Sequence, residues 1–154
     1  ILPWHGPAVS GAALSAVLFC SSGIQLPMRS VSPTLNSRLG MASLTGSVAC
    51  LAASLLLHSP ALFLVADLLL GFGHGLTYLS SLHKVSGMSG PAQRAGLLCS
   101  FFSVGYLGTI VPILATGLLA DHVGVPDATI VYSLVFTVST AALLLWSLRV
   151  FQKR

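Results

Sequence analysis

Five stretches of this sequence, residues 6–28, 39–58, 61–82, 95–120 and 128–148, are apolar or small almost without interruption. Each is close to the ~20 residues that a helix needs to cross a ~30 Å hydrocarbon layer. The segments between them carry turn residues: Pro33, Ser59-Pro60, Gly87, Gly90-Pro91, Gly124 and Pro126. Backbone polar groups placed in lipid must find partners within their own segment, so runs of this length form helices. The expected fold is an all-α membrane protein with five transmembrane helices.

Composition bears this out and removes other classes. Charged residues are 6% of the 154 and hydrophobic residues 55%, against about 25% charged in soluble domains. So few charges cannot cover the surface of a soluble fold, which makes the lipid bilayer the main partner. The net charge of +4 does not signal nucleic acid, because the basic residues stand singly in loops with no interleaved aromatics. Cys20, Cys50 and Cys99 each lie inside an apolar run without C-x-x-C spacing, as small hydrophobes do. No Ser/His/Asp or Cys/His constellation is visible, so neither an enzyme nor a cofactor or metal site is expected.

Charge also sets sides. If the five runs alternate in direction, Arg29, Arg38, Lys84, Arg94, Arg149, Lys153 and Arg154 fall on one side, and Asp121 and Asp127 on the other. Excess Lys and Arg marks the cytoplasmic face. The C-terminus is therefore expected in the cytoplasm and the N-terminus outside, in a plasma (inner) membrane. The first basic residue, Arg29, follows the first apolar run instead of preceding it, so that run is expected to be a span and not a cleaved leader.

The order of runs, the short 58–61 hairpin and the glycine-rich stretch Gly71-Phe72-Gly73-His74-Gly75 form a pattern. So do Arg94-Ala95-Gly96, Gly105-Tyr106-Leu107-Gly108, Pro112 and Gly117-Leu118-Leu119-Ala120-Asp121. Together they resemble helices 8 to 12 of a major facilitator superfamily transporter, most of its C-terminal six-helix half. The family's cytoplasmic motif G-x-x-x-D-R-x-G-R has its counterpart in Ser37-Arg38-Leu39-Gly40, with serine in place of the aspartate and no basic residue after the glycine. The resemblance implies a fragment of a secondary active transporter that moves a small-molecule substrate by alternating access, with proton coupling as one form. It also implies a missing N-terminal half as partner, since one half must rock against the other. The alternative is a non-transporting helical membrane module, a truncated remnant or an assembly subunit.

Asp67 and His74 lie inside the apolar run 61–82. A carboxylate at the centre of a span costs about 2.5 kcal/mol or more, and such residues mark pathways or partners. At about 100° per residue, Asp67, Gly71, His74 and Tyr78 share one stripe. The resemblance makes this stripe a candidate cavity lining, with Asp67 and His74 as proton-coupling or substrate groups. Alternatively, Asp67 caps or pairs with a neighbouring helix. Gly71 and Gly75 form a G-x-x-x-G, expected in helix packing or in helix bending. On the fourth run Gly105, Gly108 and Pro112 share a side, and Pro112 is expected to kink the helix. Tyr106 is either a substrate contact or a tyrosine bonded to another helix.

Overall fold

The computed structural model describes residues 7–88 and 90–152. It comprises five α-helices: α1 (Pro7–Met28), α2 (Pro33–Leu57), α3 (Pro60–Gly87), α4 (Pro91–Val123) and α5 (Val125–Gln152). All five are long and apolar enough to cross a membrane, the mark of an integral membrane protein. The expected start of the first span at residue 6, and Lys153 and Arg154, lie outside the described residues.

The helices run past the apolar stretches that announce them. α2 begins at Pro33 instead of residue 39, α4 at Pro91 instead of 95, and α5 at Val125 instead of 128. At their other ends α3 reaches Gly87, α4 Val123 and α5 Gln152. Hydropathy marks only the part of a helix that meets hydrocarbon, whereas caps decide where it stops. Pro33, Pro60 and Pro91 open their helices, where a missing N–H costs nothing. The hydroxyls of Ser32 and Ser59 accept from the amides of Leu35 and Leu62 at 3.4 Å. His58 (φ 51) ends α2 in left-handed backbone, which releases the chain from the helix, and Gly124 (φ 87) ends α4 in an extended conformation of positive φ that suits glycine. The expected loops at 29–38 and 121–127 are thereby reduced to tight turns.

Each helix runs antiparallel to the one before it. Ser43 of α2 donates to the carbonyl of Leu69 in α3 at 2.9 Å, while Ser80, further along α3, donates to Pro33 at the start of α2 at 2.6 Å. α1 and α3 run parallel, with Gly71 against Val17 and Gly75 against Ser21. α3 lies between α1 and α2, α5 covers another side of α2, and α4 rests mainly on α5 with only a light touch on α3. This succession brings Arg29, Arg38, Lys84, Arg94 and Arg149 to one end of the bundle and Asp121 and Asp127 to the other.

The interior is made mostly of small and hydroxylated residues, with Val48, Leu76 and Leu79 as its larger apolar side chains. Ser21, Ser47, Ser54, Ser80, Ala66 and Ala128 are buried, whereas Phe19 is 80% exposed and α4 has no buried residue. Lipid tails are as apolar as leucine, so burial in the bundle gains a large side chain little over lipid; close backbone approach and interhelical hydrogen bonds hold such bundles. Gly71, Gly73 and Gly75 allow that approach. Gly71 and Gly75, one turn apart, face α1, and Gly73, on the other side, meets Gly40 and Leu44 of α2. Thr45 of α2 donates to Thr140 of α5 at 3.2 Å. Asn36, fully buried, donates through Nδ2 to the carbonyl of Met28 at 3.0 Å and ties the α1–α2 turn to its helix.

Candidate functional site

Asp67 lies seven residues into α3, about 10 Å along its axis at 1.5 Å per residue. Its side chain is half-buried, and among the described residues no hydrogen bond or ion pair reaches its carboxylate. It borders two cavities. One, of about 190 Å³, lies between α2, α3 and α5; Phe63 and Asp67 of α3, Ser47 of α2, and Tyr132 and Phe136 of α5 are among its lining. The other, of about 480 Å³, lies between α3 and α1, whose alanine face (Ala8, Ala12, Ala16) forms the far wall. Phe63 and Asp67 line both. They stand at i and i+4 on one face of α3, as do Tyr132 and Phe136 on α5, so each pair presents its groups together.

His74 lies seven residues beyond Asp67 on the same helix, again about 10 Å along the axis. It has its own set of contacts. Nδ1 is 2.9 Å from the Ser21 hydroxyl of α1. The ring stacks on Tyr78 with centroids 6.3 Å apart and planes at 16°. Tyr78 in turn meets Phe101 of α4 at 6.4 Å. This ring pair is a contact between α3 and α4.

The stripe expected from the sequence is therefore not one open lining. Asp67 faces cavities, but α1 covers Gly71: a Cβ there would lie 2.8 Å from the Cβ of Cys20 and the carbonyl oxygen of Val17. Gly75 is likewise closed against Ser21 and Ile24. His74 is exposed beyond them. Asp67 and His74 are two stations on one helix with a packed helix contact between.

The fourth-run residues are dispersed differently. A Cβ added at Gly105 or Gly108 would meet nothing within 4 Å, so among the described residues neither glycine packs against another helix. Pro112 lies inside an unbroken α4 and lines a third cavity, of about 340 Å³, between α4 and α5. Tyr106 is 69% exposed and does not line either of Asp67's cavities. Among the described residues, no group of three or more His, Cys or Asp side chains could hold a metal ion.

Ser21, Ser47, Tyr132 and Phe136 are part of these surroundings and were not singled out by sequence. Ser21 is separated from His74 by 53 residues, and nothing local marks it. The i, i+4 aromatic pair Tyr132 and Phe136, stacked at 5.8 Å, is the one signal that a closer reading of the fifth run offers.

A carboxylate bordered by aromatic rings and hydrocarbon can hold a proton or a cation. Arg29, Arg38, Lys84, Arg94 and Arg149 all stand at the same end of the bundle, and none of them lines either cavity beside Asp67. No known protein family, curated protein or solved structure matches the chain.

Proposed function

We propose that this chain is part of a secondary active transporter resembling the C-terminal portion of a major facilitator, with Asp67 as its coupling or substrate-binding group. The observation that carries the reading is the Asp67 carboxylate. It sits within a membrane-crossing helix, borders two cavities, and receives no hydrogen bond or ion pair among the described residues. An intramembrane acid is costly and is retained where a proton, ion or substrate passes. A purely structural aspartate would instead be satisfied by a neighbouring helix, as Ser43, Ser80 and Thr45 are.

In this reading Asp67 alternates between a charged and a neutral or ion-paired form, and His74, held by Ser21, is a second coupling or substrate group. The end of the bundle bearing the basic residues faces the cytoplasm. Transport itself requires a second bundle against which this one rocks.

The test uses a lipid-soluble carbodiimide, which couples to carboxyl groups inside the bilayer. The chain has three acidic residues, and Asp67 alone lies deep within a span. The intact transporter in proteoliposomes is surveyed for proton movement driven by amines, carboxylates and sugars. The reagent should label Asp67, mapped by mass spectrometry, and stop the flux. Flux that survives complete modification of Asp67 contradicts the proposal.

A further inference from the structure

The cavity between α2, α3 and α5 combines one carboxylate with three aromatic rings: Asp67 and Phe63 from α3, Tyr132 and Phe136 from α5. We infer that it is a binding site for a small organic cation, an alkylammonium ion or a protonated amine. Asp67 is the counter-charge, and the rings are the wall against which the alkyl groups rest. The inference builds on the reading of Asp67 as a substrate group and names the class of substrate.

Three features select that class. The first is charge. The cavity holds one acid and no basic residue, so it repels anions, and a neutral guest would leave the carboxylate without a partner. The second is the wall. Aromatic faces attract cations, most strongly where water is excluded, and apolar side chains make up most of the remaining lining, including Val48, Leu51 and Leu70. The third is the oxygen supply. Hard metal cations take six or more oxygen ligands, or keep several waters. Beyond the carboxylate, the side chains of the lining offer only the hydroxyl oxygens of Ser47 and Tyr132, too few for such a shell. A cation that carries its own methyl or methylene shell asks for one counter-charge and dispersion contact, which this wall supplies.

Size agrees. A protein cavity of about 150 Å³ already admits a benzene-sized guest, and this one measures about 190 Å³. A small alkylammonium ion fits, whereas a bulky polycyclic cation does not. Phe63 and Asp67 also line the larger cavity beside α1. The carboxylate is thus shared between the aromatic chamber and the larger cavity.

Binding of radiolabelled choline to the protein in lipid nanodiscs tests the inference, with its uncharged isostere 3,3-dimethylbutanol as competitor. Saturable choline binding is expected, weakened roughly tenfold or more in Asp67→Asn and severalfold in Phe136→Leu, and kept in Tyr132→Phe. The isostere should not compete. Absence of saturable binding, equal affinity in Asp67→Asn, or competition by the neutral isostere at choline's own concentrations would each overturn the site. The isostere needs no variant, so a misfolded mutant cannot obscure the answer. The two readings also fail separately. Solute flux stopped by modification of Asp67, without choline binding, removes the cation site and keeps the transporter. Choline binding without flux of any solute keeps the site and removes the transporter.

Discussion

Gly73 of α3 and Gly40 of α2 meet backbone to backbone. A Cβ on Gly73 would lie 2.9 Å from the Gly40 carbonyl oxygen, and a Cβ on Gly40 would lie 3.1 Å from that of Gly73. Neither neighbour can yield, because each is main chain within a helix. This contact sets how near α2 approaches α3, and so how tightly the wall beside Asp67 closes.

Gly73→Ala is accordingly expected to destabilise the bundle by about 1–3 kcal/mol, the usual cost of forcing extra volume into a packed contact. Gly87→Ala, at the end of the same helix with open space around it, should be neutral or slightly stabilising. Unfolding in mild detergent followed by circular dichroism measures both. Equal stability of the two variants would show that the glycine contact does not hold α2 and α3 together.

The hydroxyl pair Thr45 and Thr140 is a polar link between α2 and α5, at 3.2 Å. A double-mutant cycle with Thr45→Val and Thr140→Val should return a coupling of about 0.6 kcal/mol, the average for hydrogen bonds between membrane helices. Zero coupling would mean that this hydroxyl pair does not help to hold the two helices together.

Sidedness follows from the basic end of the bundle. In a background with the three native cysteines replaced, Val123→Cys should react with an impermeant thiol reagent on intact cells, and Gly90→Cys should not. Val123 is preferable to Gly124, whose φ of 87 suits glycine alone. Labelling of residue 90 from outside, with residue 123 protected, would invert the assignment.

The helices and their order were legible because hydrocarbon imposes a length, and a run of about 20 apolar residues has few other fates. Their ends were less so: Ser32, Ser59 and His58 set caps that hydropathy does not register. Packing partners were harder still. Apolar residues surround each helix, so no stripe identifies a buried face. Gly71 and Gly75 were readable as a close-packing pair, but that Gly73 turns the opposite way to a second helix became evident only in the fold. Asp67 stood out by its cost in lipid. Its aromatic neighbours Tyr132 and Phe136 did not, because in a span an aromatic residue has the same hydropathy whether it faces a cavity or a lipid tail.

The central claim is that Asp67 serves function and not folding. Solute-driven proton uptake into proteoliposomes, normalised to the amount of folded protein, tests it most directly in Asp67→Asn and Asp67→Glu. An amide keeps the shape of the side chain but neither titrates nor carries charge. The account predicts that Asp67→Asn reaches wild-type abundance or above, since a charge leaves hydrocarbon, while its proton-coupled flux falls to background. Asp67→Glu should keep part of the flux. Wild-type flux in Asp67→Asn, or loss of folded protein in proportion to loss of flux, would contradict it.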